Sequence, residues 1–68
     1  MIKVTEALLG QPERVSYVSE TQATQLRLKY QFKMLLEGIY MNDDDGRDRR
    51  FQLVKNGTLL GYFSMEKV

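Results

Sequence analysis

The sequence predicts a small α+β domain of residues 1–68, with one helix over about 19–37 packed on a small antiparallel sheet that ends in a hairpin of residues 50–55 and 58–65. Three observations predict it. Asn56-Gly57 separates two apolar-rich segments, the dipeptide favoured by a two-residue hairpin that needs positive φ at both central positions. Ser19 followed by Gln22 matches a capping box, Glu20 sits where a helix start favours an acid, and Gly38 stands where a helix would stop. Short strand-like segments lie on either side of that helix.

At the N-terminus, Ile2 to Thr5 suggests a short strand and Glu6 to Leu9 a helical turn, broken by Gly10-Gln11-Pro12. Arg14 to Val18 reads as a second strand. The next segment carries two patterns. From Gln25 to Met34, Leu26, Leu28, Tyr30, Phe32 and Met34 alternate with Arg27, Lys29, Gln31 and Lys33, which taken alone is a half-buried strand and would give an all-β small barrel. The helix is preferred, because residues 20–37 lack Pro, Gly, Asn and Asp, and no Val, Ile or Thr occurs from Gln25 to Gly38. On a helix the alternation resolves into two stripes, Leu28, Phe32, Leu35, Leu36 and Ile39 on one side and Ala23, Leu26, Tyr30 and Met34 on another.

Ile39 to Met41 reads as a third strand. Asp43, Asp44, Asp45, Gly46, Arg47, Asp48, Arg49 and Arg50 nearly cancel in charge and read as a solvated loop. If Lys55 pairs with Thr58 and the register runs on unbroken, Phe51 lies across from Tyr62 and Leu53 across from Leu60, on a core face. Val54, Leu59, Phe63 and Met65 then fall on the opposite face. Gly61 in mid-strand fits a bulge or a close backbone approach.

With 68 residues, 43% of them hydrophobic, the chain is marginal in mass for one core. Packing or self-association is expected to stabilise it, since there is no Cys for disulfides and neither Cys nor His for zinc. The same absences remove the Ser-His and Cys-His nucleophile pairs and thiol redox chemistry, so no enzyme, cofactor or metal site is expected. The Asp43–Gly46 stretch fails as a calcium loop: with Gly46 as the sixth position, Met41 and Gln52 occupy the first and twelfth, where acids are needed. Asn56-Gly57-Thr58 matches a glycosylation acceptor but is accounted for by the turn. Met1 to Gly10 reads as neither an export signal nor a membrane span, and the expectation is a cytoplasmic protein without membrane association.

The apolar faces outnumber what one helix on one small sheet can cover. The leading expectation is therefore a small protein-interaction module, a homodimer that regulates or inhibits a larger protein partner, with Ala23, Leu26, Tyr30, Met34, Val54, Leu59, Phe63 and Met65 at its interface. The alternative is a small nucleic-acid-binding protein using Arg27, Lys29, Lys33, Arg47, Arg49 and Arg50 with some of the four Tyr and three Phe, although a net charge of +1 is small for that role.

Overall fold

The computed structural model describes residues 1–44, 46–47 and 49–68. The chain runs β1 (Ile2–Leu8), β2 (Arg14–Val18), α1 (Glu20–Leu36), β3 (Tyr40–Asp43), β4 (Arg50–Lys55), β5 (Thr58–Lys67). The five strands form an antiparallel sheet in the order β2-β1-β5-β4-β3, open at both edges, with α1 packed on one face. The architecture is the α+β one; the sheet does not close into a barrel. Instead of the expected helical turn at Glu6–Leu9, Glu6 to Leu8 continue β1, all three pairing with β5 and Glu6 also with β2, and Leu9 begins the turn.

Residues 25–34 are helical. Ser19 takes an extended conformation, its Oγ accepts from the Gln22 amide at 3.2 Å, and Gln22 Oε1 accepts from the Ser19 amide at 3.1 Å. The alternation of this segment reports two helical stripes, and the structure buries only one. Ala23 and Met34 are buried, while Leu26 and Tyr30 are partly buried against the core. This stripe runs nearly the length of α1, whereas Leu28, Phe32, Leu35 and Leu36 populate only its C-terminal half, so the longer stripe covers more sheet. After the chain turns at Gly38, Ile39 leaves the helix pattern and drops into the core.

The hairpin turns at Asn56 (φ 51°) and Gly57 (φ 78°) with Lys55 paired to Thr58. The unbroken register beyond it is corrected by a β-bulge. Val54 pairs with Leu59, Leu53 with Gly61 and Phe51 with Phe63, leaving Leu60 as the extra residue. One inserted residue exchanges the two faces of every position after it. Phe63 and Met65 therefore face α1, and Tyr62 faces away. The bulge sits where β1 comes close: the Leu9 amide donates to the Leu60 carbonyl at 2.7 Å, and a Cβ on Gly61 would overlap the Ala7 carbonyl.

The core lies between α1 and the sheet: Val4, Ala23, Met34, Ile39, Phe51, Leu53 and Phe63 are buried. Tyr30 stacks on Phe63 with centroids 5.1 Å apart, Phe51 tilts against Phe63 at 6.2 Å, and the Arg27 guanidinium lies 5.7 Å from the Phe51 centroid. Among the described residues, no helix is long and apolar enough to cross a membrane.

Candidate interaction surfaces

Among the described residues, two surfaces and a cleft stand out once the core is assigned. The first surface is the outward side of α1. Leu28 is 53% exposed, Phe32 65%, Leu35 49% and Leu36 74%, and at i, i+4, i+7 and i+8 they form one apolar strip opposite the buried stripe. Lys29 and Lys33 follow one flank of this strip, and α1 carries no acidic residue from Thr21 to Leu36.

The second surface is the face of the sheet away from α1. Because Phe63 stacks on Tyr30, its partners Glu6 and Phe51 also face the helix, and the two-residue alternation sends Lys3, Thr5, Ala7, Tyr62, Ser64, Arg50 and Gln52 to the other side. Register adds Tyr17 and Val15 from β2 and Tyr40 and Asn42 from β3. Tyr17, Tyr40 and Tyr62 are each about half exposed, while Thr5 and Ser64, paired across β1 and β5, are buried between larger neighbours. Beside Tyr62 lies a depression of about 140 Å³ lined by Asp44, Arg50, Gln52 and Leu59.

A cleft of about 450 Å³ separates the β1–β2 connection from the C-terminal half of α1, lined by Glu6, Arg14, Tyr30, Lys33 and Glu37 among others. Partial burial, with smaller contributions from Glu6 and Glu37, raises the Tyr30 phenol above its ordinary value of 10.0, because all three disfavour the phenolate. The mixed charges give no convergent set for one ligand.

The residues expected at an interface separate. Ala23, Met34 and Phe63 are core, Leu26, Tyr30 and Met65 pack against it, and only Val54 and Leu59 lie on the open sheet face. The choice of the longer helix stripe and the bulge at Leu60 account for this. The proposed basic set also divides: Arg27, Lys29 and Lys33 belong to α1, Arg47 and Arg49 to the loop before β4, and only Arg50 reaches the open sheet face. Of the acidic loop, Asp43 closes β3 and its Oδ1 accepts from the Gly46 amide at 2.9 Å, while Asp45 and Asp48 lie outside the described residues. Sequence reasoning misplaced Tyr62 because its orientation depends on the bulge, and did not place Tyr17 and Tyr40 because theirs depend on pairing with β1 and β4. The four exposed helix residues were visible as a stripe, but assigned to the other side. Comparison of the chain with family models, curated proteins and solved structures finds no match.

Proposed function

We propose that this chain is a protein-interaction module that acts by binding rather than catalysis and pairs with a second copy of itself through the outward strip of α1. The observation that supports it is the exposure of Leu28, Phe32, Leu35 and Leu36 together on one helix face. Scattered exposed leucines are ordinary, but four large apolar side chains in register on one helix form a patch of the kind that marks an interface. The strip itself carries no charge, so a second copy can meet it about a two-fold axis without opposing like charges along the seam. An antiparallel pairing sets the Lys29 and Lys33 flank of one copy beside the same flank of the other. Salt then strengthens the pair by screening that repulsion, whereas binding to an acidic partner would weaken with salt. The role we assign to the pair is regulation or inhibition of a larger protein, reached through the surfaces that the described residues leave exposed.

The test is mass in solution by light scattering and sedimentation over about 1 to 500 μM, the range in which a small interface would dimerise. The expected result is a shift towards twice 8.0 kDa with rising concentration. Phe32→Gln removes the central side chain from both copies, costing roughly 2–4 kcal/mol by symmetry and weakening the dimer roughly 30- to 1,000-fold, without unfolding the chain. A wild-type chain that stays monomeric throughout, or dimers insensitive to both Phe32→Gln and Leu36→Gln, would refute the reading.

A further inference from the structure

We infer that the free edge of β2 pairs antiparallel with β2 of a second copy, about a two-fold axis at Ser16, and so joins two sheets into one. This contact uses backbone groups at the side of the sheet, and the inference does not rest on the pairing of α1.

A residue in an antiparallel strand directs both its backbone groups to one neighbouring strand, and the next residue directs its own to the other. Along β1 the Val68 amide donates to the Met1 carbonyl, the Leu9 amide donates to the Leu60 carbonyl, and the Ala7 carbonyl lies against Gly61. Odd-numbered residues of β1 therefore bond to β5, and Ile2, Val4 and Glu6 bond to β2. Their partners Val18, Ser16 and Arg14 are satisfied by this, and the N–H and C=O of Val15 and Tyr17 point away from the sheet, where no described strand meets them. Two donors and two acceptors alternating at strand spacing fit another extended chain.

The register makes that chain a second copy. Ser16 is the middle residue of β2, so a two-fold axis there overlaps the strand along its full length. It sets Val15 across from Tyr17 twice, Arg14 across from Val18 twice and Ser16 across from itself, and all four free groups of each copy find their counterparts. Val15, 40% exposed, and Tyr17, 57% exposed, then form the pair of β-branched and aromatic side chains that antiparallel strands favour, and no like charges meet. An axis at Tyr17 would need the Ser19 amide and carbonyl, which already serve the helix start through Gln22 Oε1 and the Ala23 amide. An axis at Val15 would set Tyr17 across from Glu13, outside β2. The other edge strand, β3, is four residues long and ends in Asp43, whose carboxylate accepts from the Gly46 amide, whereas β2 has no charge from Val15 to Val18 and no bulge against β1. Shortness and charge keep an edge from pairing, and β2 is the less protected of the two. The axis stands perpendicular to the sheet, so both α1 helices lie on one face with their outward strips uncovered. Two separate self-contacts on one chain carry assembly beyond two copies.

Four hydrogen bonds with little apolar area make this the weaker of the two contacts, with a Kd on the order of 1 mM. The experiment is amide NMR and light scattering on the double variant Phe32→Gln/Leu36→Gln, which lacks the helix contact, from about 50 μM to about 3 mM. The Val15 and Tyr17 amide signals should move with concentration while the mass rises above 8.0 kDa. In the same background, Val15→Pro removes an N–H that bonds to nothing within the chain, at the kind of edge position that tolerates proline, and should abolish the movement at Tyr17. Ser16→Lys and Ser16→Glu each set like charges across the axis and should weaken pairing roughly two- to fivefold. Mixed in equal amounts, those two variants should pair more tightly than either does alone, as a register centred on Ser16 requires. Circular dichroism confirms that each variant is folded. Val15 and Tyr17 signals that stay fixed up to about 3 mM overturn the inference, as does pairing that persists in a folded Val15→Pro chain or a Lys and Glu mixture no tighter than its components. The helix contact is read separately, from the Leu28 and Leu35 amides of the wild type, so the failure of one contact is distinct from the failure of the other.

Discussion

Replacing Gly61 with alanine adds one methyl group at the point where three strands meet. Gly61 has φ +157° with its neighbours on β1 and β4 both in place, and its Cβ would overlap the Ala7 carbonyl oxygen with the Ala7 carbonyl carbon and Leu8 Cα close behind. None of these is a side chain that can rotate away, so β5 must move from β1. The conformation costs roughly 1–3 kcal/mol for a residue with a Cβ. Weakening the adjacent hydrogen bond from the Leu9 amide to the Leu60 carbonyl adds roughly 0.5–1.5 kcal/mol. The expected loss is roughly 2–4 kcal/mol from a domain of this length whose whole stability is roughly 3–10 kcal/mol. The comparison is Gly57→Ala, also at positive φ but with nothing within 4 Å of a new Cβ, expected to lose about 1 kcal/mol. Urea unfolding followed by circular dichroism reads both. With a slope near 1 kcal/mol/M, Gly61→Ala should lower the midpoint by about 2 M or more. If it is no more destabilising than Gly57→Ala, the close approach of β1 to β5 is not what fixes glycine there, and the explanation of the bulge fails with it.

Truncating Phe63→Ala removes a ring stacked on Tyr30 and tilted against Phe51; the expected cost of roughly 3–5 kcal/mol should lower the urea midpoint by about 3 M or more, or unfold the chain outright. Ser19→Ala loses the oxygen that accepts from Gln22, and should destabilise by about 1 kcal/mol in urea unfolding while Gln22→Ala costs less. Absorbance at 295 nm should show a phenol ionising above the ordinary value of 10.0, and Tyr30→Phe should remove that step. The sign follows from the raised phenol: its stabilisation is complete below the unfolded value near pH 10 and is lost as pH rises through the folded value. The alkaline fall in stability should therefore shrink in Tyr30→Phe.

The elements that could be read from the chain are those fixed by contacts close in sequence. Ser19 and Gln22 touch each other, and Asn56-Gly57 needs only its own backbone preferences, so the helix start and the hairpin turn were legible. Orientation was not, because it depends on partners far along the chain. Gly61 stands out in mid-strand in the sequence, yet it is the backbone of Ala7 and Leu8, more than fifty positions away, that crowds it where Leu60 is skipped. Likewise both helix stripes were visible, but which one meets the sheet depends on the sheet being there. The candidate surfaces inherit this: Phe32 and Tyr62 are exposed for reasons of long-range register, and Phe63, adjacent to Tyr62, is interior for the same reason.

The pairing of β1 with β5 also governs how this molecule assembles. Ile2 lies across from Lys67, and the Val68 amide donates to the Met1 carbonyl at 3.0 Å, so the middle of the sheet joins the two ends of the chain. The β1–β2 hairpin and α1 form from neighbours in sequence, as does the β3–β4–β5 meander, and each can begin without the other. Their junction pairs residues 53 (Leu8 with Gly61) to 65 (Ile2 with Lys67) positions apart, long-range contacts that form after the local ones. Until it closes, both halves present an unpaired strand edge, and at high concentration the β1 edge of one molecule meets the β5 edge of another with the same register. Strand exchange about the connection at Gly38 is the natural misassembly of this topology, and slow refolding that worsens with concentration would be its kinetic signature.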